Sequence, residues 1–262
     1  MNELIKLCAR PKLKSPVMLA AWPGIGNVSM IVATYLERKL GVKDLGEVEA
    51  FHFFDPIGVI VRDNVVESPQ FPESKFYYWK NKGRGNDIIL FIGESQPASK
   101  GYELSNCVID VGLRFGVKRI YTCAAALTRI HHTEQPGVWG VATSREVSDS
   151  LTKYDLAQRH NLQISGLNGL LLGVAKERNI EGVCLLGEVP MYATRMQNPM
   201  AALAVLTVLT RILGIEVDTD ELEQLAIETK ERMKEVAAEA MGEYIDYFTK
   251  PIWEREEEEE EE

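Results

Sequence analysis

The sequence is poor in the residues that metal and catalytic centres need. Only 4 histidines and 4 cysteines occur among 262 residues. No CxxC, HExxH or Cys/His zinc spacing is present, which excludes the common zinc sites and leaves no metal expected. His131 and His132 are adjacent and would be expected to point to different sides, His52 sits in a segment of strand character, and His160 lies near a helix end. The GxSxG nucleophile elbow is missing too, since "GESQPASKG" does not supply it. No CxxC framework links Cys8, Cys107, Cys123 and Cys184, and the last three lie in apolar runs. Buried free thiols in a reducing cytoplasm are therefore expected.

Clustered basic residues are lacking as well, and the net charge is −10. Both argue against a nucleic-acid partner, because phosphate backbones are engaged by grouped Lys and Arg. Part of the acidity is local: "EREEEEEEE" (Glu254 to Glu262) is a run of like charge, expected to be disordered. No long apolar stretch follows the first charges, so no signal peptide is expected. "PMAALAVLTVLTRILG" (Pro199 to Gly214) is too short and too interrupted to span a bilayer. Together these features predict a cytoplasmic protein with no membrane partner.

What is present is an apolar fraction of 45%, ample for a large core. Strand character is read at Val17–Ala21, Val48–Asp55, Lys75–Asn81, Asp87–Glu94, Arg119–Ala126, Gly137–Thr143 and Gly182–Glu188. Gly58–Ser68 reads as a hairpin turning at Asp63-Asn64. Helices are expected at Asn27–Leu40, Ser99–Phe115, Arg145–Leu156 and Gly169–Arg178. The alternation predicts an α/β fold, a mixed and largely parallel sheet with helices on both faces. Asn198 is placed to cap the helix opened by Pro199. Asp218 with Glu221 forms a capping box before a long amphipathic helix to Phe248. Three segments follow: a core over 1–216, a helical segment over 217–250 and an acidic tail over 251–262.

Two places carry candidate chemistry. The turn "WPGIGNVS" offers Gly24, Gly26 and Asn27 at a helix start, where an anion is favoured. It reads GxGxxS, an imperfect dinucleotide fingerprint; Asp55, the acid ending the second strand, falls later than that fingerprint wants. No Lys follows to make a P-loop. Its leading reading is a structural turn, with ligand binding as the minor one. The second place is an echo: "LFIGESQP" and "CLLGEVP" both run apolar strand, Gly, Glu, Pro. Glu94 and Glu188 thus leave the carboxyl ends of two strands, where they either share acid/base work or each bind backbone amides of their own loops. The apolar stripe Leu222, Leu225, Met233, Val236, Ala240 and Met241, with Tyr244, Tyr247 and Phe248 beyond it, is the candidate interface.

Taken together, "AWPGIGNVS", "GESQP", "GLNGLLLG", "LLGEVP" and "NPMAALAVLTVLTRILGIEVD" resemble the proteasome assembly chaperone 2 family, over about residues 14–240. The resemblance implies a three-layer α/β/α sandwich similar to purine nucleoside phosphorylases. It also implies a non-enzymatic chaperone without cofactor, of archaeal type, that self-associates and binds proteasome α subunits or another protein complex; where the C-terminal stripe is an interface, a cyclic homo-oligomer is expected. One departure stands out: the family's hydrophobic-Tyr-any docking tripeptide is not at the end of this sequence, where glutamates stand instead. A rival reading is a nucleoside-binding protein or enzyme using a phosphorylase-like pocket.

Overall fold

The computed structural model describes residues 4–56, 58–83, 85–157 and 162–249, without the side chains of 239–241 and 243–249. In chain order the elements are β1 (Ile5–Leu7), β2 (Val17–Ala21), α1 (Val28–Leu40), β3 (Lys43–Val48), α2 (Ala50–Phe53), β4 (Val61–Arg62), β5 (Val65–Val66), β6 (Ser74–Trp79) and β7 (Ile88–Gly93). There follow α3 (Gly101–Arg114), β8 (Arg119–Thr128), β9 (Val138–Ala142), α4 (Arg145–Ser150), α5 (Leu167–Glu177), β10 (Glu181–Pro190), α6 (Pro199–Leu213) and α7 (Asp220–Thr249).

Eight strands form one sheet in the order β1-β3-β6-β7-β2-β8-β10-β9. The central four, β7-β2-β8-β10, are parallel, and the flanking pairings are antiparallel. The central β2 and β7 are buried at every position, as strands covered on both faces must be. α1 and α6 cover one face and α3 and α5 the other, each over its own apolar cluster. On the second face Trp22, Phe91 and Phe76 pack in series, ring centroids 5.0 and 4.7 Å apart. Burying rings of this size stabilises the fold by roughly 2–3 kcal/mol each.

Local chemistry explains several boundaries. The Ala201 amide donates to Asn198 Oδ1 at 2.9 Å, the cap expected for α6. Asp63 (φ 49) and Asn64 (φ 63) both take left-handed angles between β4 and β5, as a two-residue hairpin turn requires. The segment 48–55 is a correction: strand β3 ends at Val48, and Ala50–Phe53 makes one helical turn with Phe51 exposed. α4 stops at Ser150 and the chain continues as a single 3-10 turn, Thr152–Tyr154. The capping box also forms otherwise. Asp218 Oδ1 accepts the Asp220 amide, while the Glu221 carboxylate turns outward to Arg38 and Lys39 of α1.

Candidate functional site

The turn after β2 is tight and one-sided. The Asn27 amide donates to the Gly24 carbonyl at 2.9 Å, and Gly26 (φ 61) and Asn27 (φ 52) both lie in the left-handed region. Gly26 is buried, and a Cβ there would stand 3.1 Å from Asn198 Cβ, so this position needs glycine for both angle and space. Gly24 does not. Its φ of −166 is extended backbone, and the nearest atom to an added Cβ is 3.8 Å away. Asn27 makes no side-chain cap to α1.

Three distant segments close over this turn, two through side chains and one through a backbone amide. Asn168, in the first turn of α5, accepts the Trp22 amide on Oδ1 and donates from Nδ2 to the Trp22 carbonyl, both at 3.3 Å. Ser29 Oγ donates to the same Oδ1 at 3.3 Å. Gln96 Nε2 donates to the Pro23 carbonyl at 2.6 Å, and its Oε1 accepts the Leu167 amide at 2.9 Å. The Asn198 amide donates to the Gly26 carbonyl at 2.7 Å. Trp22 lies flush against Gly93, where a Cβ would come within 2.6 Å of the indole. The pieces "WPGIGNVS", "GESQP", "GLNGLLLG" and "QNPMAAL" therefore meet at one place and hydrogen-bond one another. Within this knot the Trp22 Nε1 and Asn198 Nδ2 groups are buried without a partner among the described residues.

Asn168 and Gln96 are the residues that inspection of the sequence passed over. The signal for Asn168 was present: a single amide among the leucines of "GLNGLLLG".

Glu94 and Glu188 do not form a catalytic pair. β7 and β10 are separated by β2 and β8, which puts their ends roughly 14 Å apart at the usual strand spacing. Each carboxylate instead fastens an antiparallel neighbour. Glu94 Oε2 accepts the Glu73 amide at 2.8 Å, and Glu188 Oε2 accepts the Gly137 amide at 3.0 Å. The return bonds run from the Glu94 amide to the Glu73 carbonyl and from the Glu188 amide to the Gly137 carbonyl. The echo in the sequence is an echo of architecture.

α7 divides the interface candidates. Leu222 and Met233 are buried together with Ala226 and Thr229, one stripe at helical spacing, so they belong to the interior and not to an exposed interface. Leu225 (43%) is exposed, as is Ile227 (60%), which the stripe read from the sequence omitted. Val236 is half-buried. Ala240, Met241, Tyr244, Tyr247 and Phe248 lie where side chains fall outside the described residues, as do His160 and the acidic tail.

Further along the carboxyl edge, the buried His132 accepts or donates at Tyr192 Oη, 2.9 Å away, beneath α7. Burial lowers its pKa, with the neighbouring His131, Lys230 and Lys234 acting in the same direction and Glu231 against them. Among the described residues no group of three or more His, Cys, Asp or Glu is arranged for a metal, and no helix is long and apolar enough to cross a membrane.

A sandwich of this topology, pinned by a turn that four separate segments complete, defines a class, and comparison with known proteins identifies it. A sequence profile of the PAC2 family matches residues 18–237. The chain belongs to the PAC2 family. Among curated relatives, the uncharacterized protein MJ1210 of Methanocaldococcus jannaschii is 28% identical over 218 residues, 82% of this chain and 80% of that one. Among solved structures, PbaB of Pyrococcus furiosus, described as an archaeal proteasome activator, superposes with a TM-score of 0.77 at 30% identity, covering 89% of this chain and 98% of that one. PbaA of the same organism, described as an archaeal homolog of proteasome-assembly chaperone, shares the fold with a TM-score of 0.68 at 24% identity, covering 90% and 99%.

Proposed function

We propose that the protein is a non-enzymatic, assembly-chaperone-like protein that associates with itself, as a cyclic homo-oligomer, and binds a partner protein complex, with proteasome α subunits the first candidate. The observation that carries this reading is the knot around Trp22–Asn27. The polar side chains of the family-like segments bind one another there, so those segments serve architecture and leave recognition to the surface. The descriptions of PbaB and PbaA support the choice of partner. In this reading residues 1–216 form the body, 217–250 present an arm with Leu225 and Ile227 outward, and 251–262 form an acidic tail in a cytoplasmic protein.

Native mass spectrometry of the protein alone and mixed with proteasome α subunits of its own organism tests the reading. A stoichiometric complex with those subunits is expected. A homo-oligomer that ignores them removes the proteasome from the proposal, and a strict monomer removes self-association.

The orphaned Asn198 Nδ2, whose Cβ stands over Gly26, favours a second reading, a small polar ligand seated beside Gly26. It requires a thermal shift with a nucleoside or phosphate that Asn198→Ala abolishes.

A further inference from the structure

The amino edge of the sheet gathers cations that the sequence keeps far apart. β2, β7, β8 and β10 all begin at this edge, and β1, β6, α3 and α6 deliver their following loops to it. Lys12, Lys14, Lys80, Lys82 and Lys118 are exposed on those loops. Among the described residues, none of these five has a carboxylate within 4.0 Å. The buried Asp87 holds two of the loops together, accepting the Lys14 amide at 2.6 Å and the Asn81 amide at 2.8 Å. Arg119 is balanced by Glu181 at 2.6 Å. A cavity of about 290 Å³ opens between these loops, with Asn86, Lys118 and Arg119 on its wall and Leu213 of α6 at its side. The loop after α6 brings Glu216 and Asp218 to the same edge, Asp218 paired with Lys39 at 2.7 Å, so what remains is a set of five lysines without ion pairs among the described residues, which in a chain of net charge −10 suits an acidic occupant.

We propose that this edge binds an acidic peptide, the Glu-rich run Glu254–Glu262 of a second copy of the chain. The inference rests on the self-association proposed above and names the surfaces that make it. The course of α7 decides between the chain's own run and a neighbour's. α7 starts beside the amino edge, where Glu221 meets Arg38 and Lys39 near the end of α1. By Lys230 it has reached the opposite edge, with Nζ donating to the Thr133 carbonyl at 3.1 Å. It then continues to Thr249, about 28 Å further at the helical rise. To return to its own amino edge the chain would have to retrace a helix of 30 residues, about 45 Å. Residues 250–262 cover that distance only when fully stretched, about 45 Å, so their acidic run as a whole does not fit there. On a second copy stacked head to tail, the run is delivered to the basic edge directly. Such a contact is heterologous and closes into a ring when the rotation per subunit allows. Exposed Lys–Glu pairs are individually weak, so the contact is multivalent and sensitive to salt.

The test uses the full-length chain. A labelled peptide of residues 254–262 is titrated with it at low salt, followed by anisotropy, beside sedimentation of the unlabelled protein. Saturable binding is expected, weakened at least tenfold by the triple change Lys14→Glu, Lys82→Glu, Lys118→Glu and by a tenfold rise in salt. Changing Glu256 through Glu262 to Gln is expected to reduce the oligomer to smaller species. Mixing the edge-reversed chain with a chain carrying Lys at those seven positions is expected to restore it. Equal peptide affinity after charge reversal overturns the inference, and so does tighter binding of an RNA oligonucleotide of equal charge. An oligomer unchanged by both sets of substitutions overturns this inference and leaves self-association standing. A wild-type chain that is monomeric throughout removes both.

Discussion

The side-chain amide of Asn168 pairs with the backbone of Trp22 as a second peptide would, donating to its carbonyl and accepting its amide at 3.3 Å. It thereby extends the hydrogen bonding of β2 one residue past the sheet, with Ser29 Oγ as a third partner.

Removing this amide leaves two buried backbone groups without partners. Asn168→Ala is expected to destabilise the fold by about 2–4 kcal/mol. Asn168→Asp does not restore the loss, because a carboxylate presents no donor to the Trp22 carbonyl. Urea unfolding of both variants checks this; a change within experimental error for Asn168→Ala would show the pairing to be dispensable.

The two glycines of the turn separate cleanly. Gly26→Ala meets both a left-handed backbone and Asn198 Cβ at 3.1 Å, and is expected to cost about 1–3 kcal/mol. Gly24→Ala, at extended angles in open space, is expected to be neutral or slightly stabilising. Equal melting temperatures for the two variants would contradict this.

Thiol chemistry should distinguish one cysteine from three. Cys8 is exposed. Burial pushes the Cys107 thiol up to about 11 and the Cys184 thiol up to about 12, and raises Cys123 well above its usual value. A thiol reagent at pH 8 is expected to titrate one group per native chain and four after denaturation. More than one rapid equivalent in the native protein would overturn this.

Acid should loosen α7 in two stages. The folded state holds His132 below the usual 6.5, so its neutral form contributes stability that is present above 6.5 and lost as pH falls through the lowered value. Asp218 and Glu221 are held below 3.8 and 4.5, chiefly by hydrogen bonds from Lys39, so what they contribute persists above those values and disappears at lower pH. His132→Asn is expected to flatten the upper stage and leave the lower one. Melting curves from pH 7.5 to 3.5 check it; an unchanged upper stage in the variant would assign that stage to another group.

Where one short stretch carried its own physics, the sequence could be read. Asn198 before Pro199 is a cap whatever surrounds it, and Asp63-Asn64 turns a hairpin by its own backbone preferences. The interior strands β2, β7, β8 and β10 were visible as unbroken apolar runs, because burial on both faces leaves no polar alternation. β1 and β3 were not visible: one is three residues long, and the other, Lys-Asp-Leu-Gly-Glu-Val, is polar and bulged at Asp44–Gly46. "AFHF" (Ala50–Phe53) misled because aromatic density marks strands, whereas a single turn with Phe51 facing outward shows no period of its own. At the candidate site, the turn and both glutamates were found but their partners were not. Asn168 and Gln96 act at sequence separations of 146 and 73 residues, and nothing local reports such contacts. The basic edge escaped for the same reason, as its lysines come from separate loops.

The knot also fixes an order of events during synthesis. Trp22 leaves the ribosome early, yet its amide and carbonyl find Asn168 only after a further 146 residues, and Gly26 finds the Asn198 amide later still. Until β10 is made, the sheet ends at β8 beside β2, and until Asn168 is made the backbone of Trp22 lacks its partner. Contacts this remote in sequence form slowly and late. A chain cut short before residue 198 is therefore expected to expose its apolar central strands and to aggregate, while the full chain buries them.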